Sequence, residues 1–145
     1  MRRRRTTDAD HDPDDEGSVL ILTLGYAVLA LVTVFICVDA TSLYLAQKRL
    51  DALADAGALA AADGFALSVV GGEPVALLTD AGVQEQAAAM VEDIGGGASL
   101  VSAATPDGVS ARVTVADVWR PPILTVFVPD GVALESTATS RTALR

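Results

Sequence analysis

Aspartates alternate near the start of the chain, in the segment TTDADHDPDDE, at a spacing that suggests a calcium-binding loop. A loop of the EF-hand type needs glycine at its sixth position and glutamate at its twelfth, and this sequence has Pro13 and Val19 there. His11 has no partner at the spacing of a metal site. We therefore expect no bound metal, and we predict that residues 1–16 form a disordered, solvated tail.

No other group of residues has the composition of a catalytic centre. The sequence lacks the GxSxG motif of serine hydrolases, and its single histidine lies in the acidic tail, away from any partner serine or cysteine. The segment GGGAS at 95–99 lacks the Gly-Lys-Ser/Thr ending of a phosphate-binding loop. Carboxylates downstream occur singly. The sequence predicts a protein that is not an enzyme, with no catalytic residues, no cofactor and no small-molecule substrate.

The charge of the chain argues against nucleic acid as a partner. The formal net charge is −9, and the only basic cluster is Arg2 to Arg5. Binding to a phosphate backbone requires clustered lysine and arginine. Hydrophobic residues make up 51% of the sequence and aromatic residues only 4%, so alanine, valine and leucine dominate. This composition suits an alanine-rich helix and valine-rich strands.

An uncharged segment, GSVLILTLGYAVLALVTVFICV, extends from Gly17 to Val38. A helix of this length, at about 1.5 Å per residue, crosses a hydrocarbon core of about 30 Å. A cleaved secretory signal has a shorter apolar region, of about 7–15 residues, and a small-x-small cleavage site. Here the segment contains Cys37, the only cysteine, and leads directly into Asp39. We expect an uncleaved transmembrane helix at residues 17–38, in contact with membrane lipid.

Basic residues indicate the orientation of this helix. Arg2 to Arg5 precede it, whereas only Lys48 and Arg49 follow closely. Positively charged flanks stay in the cytoplasm, and acidic residues count for little in this rule. The sequence predicts a single-pass protein of the plasma membrane, with residues 1–16 cytoplasmic and residues 39–145 extracytoplasmic.

The helix is predicted to continue outside the membrane over residues 39–63, DATSLYLAQKRLDALADAGALAAAD. This segment is rich in strong helix formers and has no proline, and Asp63-Gly64 is a stop signal. Apolar and small residues recur every seven positions and form one stripe, in which small side chains let another backbone come close. The two rows of this stripe are Leu43, Leu50 and Gly57, and Ala46, Leu53 and Ala60.

Acidic residues of this extension form a second feature. Asp51 and Asp55 lie one turn apart, a spacing at which like charges slightly destabilise an isolated helix. They are predicted either to belong to a solvated face or to contact a basic partner. The residues that we assign to a subunit contact are Asp39, Leu43, Leu50, Leu53 and Asp55.

Residues 64–145 are predicted to form a small extracytoplasmic α+β domain. The segment at 68–74 is interpreted as a linker, and DAGVQEQAAAMVEDI at 80–94 as a short helix that ends at a run of glycines. Pro-Asp-Gly sequences at 106–108 and 129–131 are typical of turns. Four strands of an antiparallel sheet are predicted in ASLVSAAT, VSARVTVADV, ILTVFV and VALESTATSR.

The segment EGSVLILTLGYAVLALVTVFICVDATSLYLAQKRLDALADAGALAAAD resembles the N-terminal part of TadE/TadG-like proteins of the tight-adherence (Flp) pilus machinery. The resemblance is carried by Gly-Ser at the start of the apolar run, Val38-Asp39 at its end, and the alanine-rich tract at 54–62. It implies a pilin-like plan and a membrane-anchored role at the bacterial cell surface, in pilus assembly or a related secretion apparatus. The implied partners are other subunits of that machinery, or further copies of this chain through the N-terminal helix.

Gly17 and Ser18 form a candidate leader-processing site, because prepilins carry a short charged leader that ends in glycine before a hydrophobic helix. Members that prepilin peptidase cleaves are expected to carry glutamate five residues after this glycine, and here that position is Leu22. The resemblance therefore favours an uncleaved, TadG-like anchored protein over a processed minor pseudopilin. A stand-alone membrane-anchored binding or signalling module is the alternative from another functional class.

Overall fold

A computed structural model describes residues 13–70 and 72–142. The chain divides between Val38 and Asp39 into two compact units. Its elements are α1 (Pro13–Asp63), β1 (Ala66–Val70), β2 (Glu73–Leu77), α2 (Asp80–Ile94), β3 (Ser99–Ala104), β4 (Ser110–Trp119) and β5 (Val132–Arg141). The protein is α+β, with a long N-terminal helix, a second helix and small antiparallel sheets, as the sequence predicts.

The first unit contains the apolar part of α1. Within it, the most apolar window of 18 residues has a mean hydropathy of 2.7, and none of that window is buried. The hydroxyl groups of Thr23 and Thr33 donate hydrogen bonds to backbone carbonyls within the helix, at 2.9 and 2.8 Å. A long apolar helix whose polar groups are satisfied internally suits a lipid environment. These properties support single-pass anchoring in a membrane.

The helix begins at Pro13, four residues before the predicted boundary at Gly17. Proline is favoured in the first turn of a helix, where its missing N–H costs no hydrogen bond. The segments for which we predicted a solvated tail and a cytoplasmic arginine cluster lie mostly in residues 1–12, outside the described part of the chain. Those predictions therefore stay predictions.

The second unit has its core between the rest of α1, helix α2 and strand β4. Small residues face the sheet from α1, and Gly57 approaches so closely that an added Cβ would lie 3.3 Å from Cγ1 of Val113. The contact here is with a side chain of the chain's own sheet, and the prediction that small side chains admit another backbone stays a prediction. The buried core residues of these elements are Leu50, Leu53, Ala54, Ala58, Ala61, Ala62, Val83, Ala87, Val91, Ala111, Val113 and Val115.

Strands β3, β4 and β5 form an antiparallel sheet in that order. Alternate residues of β4 point to opposite faces, so that Val113 and Val115 are fully buried whereas Arg112 is exposed. On the other face, the hydroxyl groups of Thr114 and Thr137 form a cross-strand hydrogen bond of 2.8 Å. The predicted strands at these three places and the predicted helix at 80–94 are confirmed.

The segment at 68–74 is not a linker. Most of it belongs to the antiparallel hairpin of β1 and β2, in which Val70 pairs with Glu73. The turn contains Gly72, whose φ of +93° is a conformation that glycine adopts without strain. We interpreted this segment as a linker, whereas most of it belongs to two short paired strands.

The predicted strand ILTVFV is also wrong. Residues 122–127 form consecutive turns, in which the N–H of Phe127 donates to the carbonyl of Leu124 at 2.9 Å. Two prolines precede this segment and remove N–H donors that a sheet would need. Strand β4, moreover, already pairs with β3 on one side and β5 on the other. The high β-propensity of these residues is therefore overridden by their context.

Replacement of Gly131 by alanine should destabilise the protein more than the same change at Gly108. Both glycines end a Pro-Asp-Gly turn, and both have a φ of +74°, which costs an L-residue about 1–2 kcal/mol. At Gly131 the new methyl group would also lie 2.6 Å from the carbonyl oxygen of Trp119 and 2.8 Å from Val118, whereas Gly108 has no contact this close. Chemical unfolding followed by circular dichroism measures the difference, and equal losses would contradict the steric argument.

Candidate subunit-contact helix

The residues predicted to form a subunit contact do not share one surface. Leu50 and Leu53 expose only 3% and 7% of their surface, because they belong to the core of the second unit. Leu43 is partly buried, and Asp39 exposes 5%. Asp55 is exposed. The heptad pattern thus identified the apolar face of the helix correctly, but that face is covered by the protein's own fold.

A different face of residues 39–63 is open. Leu45 and Leu59 expose 50% and 56% of their surface, and Asp55 lies between them. These residues are spaced so that they lie on one side of the helix. We call this surface the exposed stripe, and its residues are Leu45, Lys48, Ala52, Asp55 and Leu59. It combines apolar and charged side chains, and all of them are exposed.

Asp51 joins the helix to strand β5. Its Oδ1 accepts hydrogen bonds from the hydroxyl of Ser136 at 2.8 Å and from Nε2 of Gln47 at 3.0 Å. Its Oδ2 accepts a hydrogen bond from Nζ of Lys48 at 3.0 Å. These bonds, that from Ser136 most of all, lower the pKa of Asp51 to about 2. The hydrogen bond between Lys48 and Asp51, together with the charge of Asp51, raises the pKa of Lys48. Asp51 therefore links α1 to β5, whereas Asp55 is exposed.

Asp39 is buried against the segment that follows β4. Its Oδ1 accepts a hydrogen bond of 3.2 Å from the backbone N–H of Ile123. One turn further along α1, the hydroxyl oxygen of Ser42 accepts a hydrogen bond of 3.1 Å from the indole N–H of Trp119. The Oδ2 of Asp39 is buried without a hydrogen-bond partner in the described part of the chain. Together the two bonds fix the end of β4 to the beginning of the second unit.

Sequence reasoning missed the partners of these two acids. Ser136 lies 85 residues from Asp51, and Ile123 lies 84 residues from Asp39. No periodicity or motif connects positions so far apart. The one available signal was Trp119, because a single tryptophan next to a rigid Arg-Pro-Pro sequence is expected to pack in a fixed place.

A shallow groove of about 460 Å³ lies on the second unit, between α1 and the end of α2. Its lining is mostly apolar or small, with two side chains of opposite charge. Among the described residues there is no cluster of three or more histidine, cysteine, aspartate or glutamate side chains that suits a metal ion. The lining residues are Ala46, Arg49, Leu50, Ala52, Leu53, Ile94, Gly95, Gly96, Ala98 and Asp117.

Gly17 and Ser18 are exposed and lie inside α1, after its first turn. Among the described residues, an added Cβ at Gly17 would have no neighbour within 4 Å, so packing in this part of the chain does not require glycine there. Processing between these two residues stays a prediction.

Residues 17–64 match the family model Tad, described as "Putative Flp pilus-assembly TadE/G-like". This segment is TadE/G-like. The resemblance that was predicted from the Gly-Ser start, from Val38-Asp39 and from the alanine tract is thus confirmed. Comparison with curated proteins and comparison with solved structures found no match.

The TadE/G-like segment coincides with α1 from Gly17 to its end. It therefore includes both the apolar helix of the first unit and the helix that carries the core of the second. The match suggests involvement in Flp pilus assembly, and with it interaction with other subunits of that machinery. Residues 65–142, which supply the sheets and α2, lie outside the matched segment.

Acid should destabilise the second unit partly through Asp51. The pKa of this group falls from an ordinary value of 3.8 to about 2 on folding, so the folded state favours the charged form. Its contribution to stability is complete above about pH 4 and is lost as the pH falls through about 2. Asp51→Asn should lower the free energy of unfolding at neutral pH. It should also reduce the fall in that free energy which the wild type shows as the pH drops from about 4 to about 2, a fall called here the acid limb.

The matched control is Asp55→Asn, which removes the same charge from an exposed position one turn away. This change should leave the acid limb as it is in the wild type. The measurement is the free energy of unfolding in detergent between about pH 2 and 7. If the free energy of unfolding of Asp51→Asn fell with acid as steeply as that of the wild type, the hydrogen bonds from Ser136 and Gln47 would not be stabilising the charged carboxylate.

Proposed function

We propose that the protein is a non-enzymatic, single-pass membrane component of Flp pilus assembly or of a related secretion apparatus. The observation that carries this proposal is the coincidence of the TadE/G-like match with helix α1. The first part of this helix is apolar and exposed, and the second part is built into a folded domain. A protein of this kind holds a small domain at the membrane, where other subunits of a pilus machine meet it.

In the proposed orientation the N-terminus is cytoplasmic and the second unit is extracytoplasmic. Arg2 to Arg5 support this orientation, because clustered basic residues are retained on the cytoplasmic side. The only basic residues close to the other end of the apolar run are Lys48 and Arg49. Of these, Lys48 is engaged by Asp51.

Two surfaces support assembly with other subunits. Within the membrane, Gly25 is open on the helix surface and permits another helix to approach closely. Outside it, the exposed stripe from Leu45 to Leu59 provides apolar side chains beside Asp55. The contact that we first assigned to Leu50 and Leu53 is accordingly moved to the exposed stripe, where side chains are accessible to a partner.

Deletion of the gene should abolish surface pili or the secretion that depends on the apparatus, and the wild-type gene should restore it. A Leu45→Asp, Leu59→Asp double variant should fail to restore pili, because two charges replace apolar contacts on the exposed stripe. The matched control is Leu67→Asp, Val69→Asp on β1, where the side chains expose 69% and 76%. Electron microscopy measures pili, and immunoblotting confirms equal protein levels.

Two results would contradict these proposals separately. Normal pili and normal secretion in the deletion strain would favour a stand-alone membrane-anchored module over a component of the machine. Full restoration by the double variant would leave the function in place but exclude the exposed stripe as the contact.

The mature protein should retain its first 17 residues. Cleavage after Gly17 would leave the charged N-terminus of Ser18 beside lipid, and Leu22 offers no carboxylate to neutralise it. Protease added to spheroplasts, followed by intact-mass measurement of the membrane-retained fragment, tests both processing and orientation. We expect a fragment that begins at Met1 and has lost the residues beyond Asp63, because α1 is helical up to that residue. A fragment that begins at Ser18 would instead favour a processed minor pseudopilin.

A further inference from the structure

The loop between β4 and β5 presents apolar side chains to the surroundings. We call residues 121–128 the apolar loop. Val126 and Phe127 expose 87% and 81% of their surface, the highest values among the large hydrophobic side chains of the described residues. No charged residue occurs between Arg120 and Asp130. Exposed apolar side chains concentrated in one place mark a surface that contacts another protein or a membrane.

Several polar groups of this loop have partners within the chain. The backbone N–H groups of Phe127 and Val128 both donate to the carbonyl oxygen of Leu124, at 2.9 and 3.1 Å. The hydroxyl of Thr125 donates to the carbonyl of Pro121. Backbone groups that are already paired cost little to remove from water. These paired groups lower the cost of moving the apolar loop into an environment with few hydrogen-bonding partners.

The position of the loop along the chain's own helix indicates which environment this is. Its backbone is held by Asp39 through Ile123, and Trp119, just before the loop, is held by Ser42. Asp39 is also the first residue after the uncharged segment that we propose to span the membrane. The loop is therefore hydrogen-bonded to the residue that directly follows the proposed span.

We propose that the apolar loop inserts Val126 and Phe127 into the headgroup and acyl-chain boundary of the same bilayer. The two residues that precede the loop, Trp119 and Arg120, are of types that suit this boundary, since each combines an apolar body with a polar or charged end. The loop then acts as a second, peripheral membrane contact beside the transmembrane helix. This inference rests on the proposed membrane anchoring.

Depth-dependent quenching in the full-length protein tests the proposal. A single environment-sensitive thiol label is placed at position 127 in a Cys37→Ala, Phe127→Cys variant, and the protein is reconstituted into phosphatidylcholine vesicles with or without brominated acyl chains. The matched control is Cys37→Ala, Val69→Cys, at a site of similar exposure on the hairpin. A third sample carries the label on Cys37 of the wild type, within the proposed span.

Brominated lipid should quench the label at position 127 to an extent comparable with that at Cys37, and should leave the label at position 69 bright. Quenching at Cys37 without quenching at position 127 would overturn the loop proposal while the anchoring stands. A label at 127 that is shielded from aqueous iodide but not quenched by lipid would overturn it in favour of a protein partner. Failure of quenching at Cys37 would instead refute the membrane anchoring on which the inference rests.

Discussion

The folded domain depends on the close packing of small residues of α1 against strand β4. Gly57 leaves just enough room for Val113, and alanines before and after it keep the helix surface shallow. Val113 and Val115 are fully buried by this contact, and each such side chain contributes roughly 1.5–3 kcal/mol relative to an exposed one. A larger side chain at Gly57 would push the helix away from the sheet that it covers.

One helix thus meets two different environments, and its composition changes accordingly. From Gly17 to Val38 the helix carries no charged residue, which is the pattern of a segment surrounded by lipid. From Asp39 onwards it is amphipathic, with Leu50 and Ala58 in the core and Lys48 and Asp55 in solvent. The boundary between these patterns is also the boundary between the two compact units.

Much of the fold follows from local patterns in the sequence. The helix ends at Asp63 as its Asp-Gly signal predicts, and both Pro-Asp-Gly sequences place glycine at a positive φ. These features depend on residues that are close together in the chain. The segment at 68–74 and the sequence ILTVFV were misinterpreted, because glycine content and β-propensity do not reveal whether a strand partner is available.

The candidate site was less accessible to prediction. Periodicity shows that Leu50 and Leu53 share an apolar face, but it cannot show whether that face meets a second subunit or the chain's own sheet. The same limitation applies to Asp39 and Asp51, whose partners arrive from the far end of the chain. Charge and spacing identify unusual acids, whereas their partners are known only from the tertiary structure.

The continuity of α1 through residues 13–63 has a consequence for proteolytic shedding. Enzymes that release ectodomains cut extended, flexible segments near the membrane. In the described part of this chain, the juxtamembrane segment is helical, and from Leu50 onwards the helix contributes side chains to the domain core, so it offers no extended stalk. Release of the domain would first require local unwinding around Asp39 and loss of the hydrogen bond to Ile123. The helix thereby makes the domain resistant to being detached from its anchor.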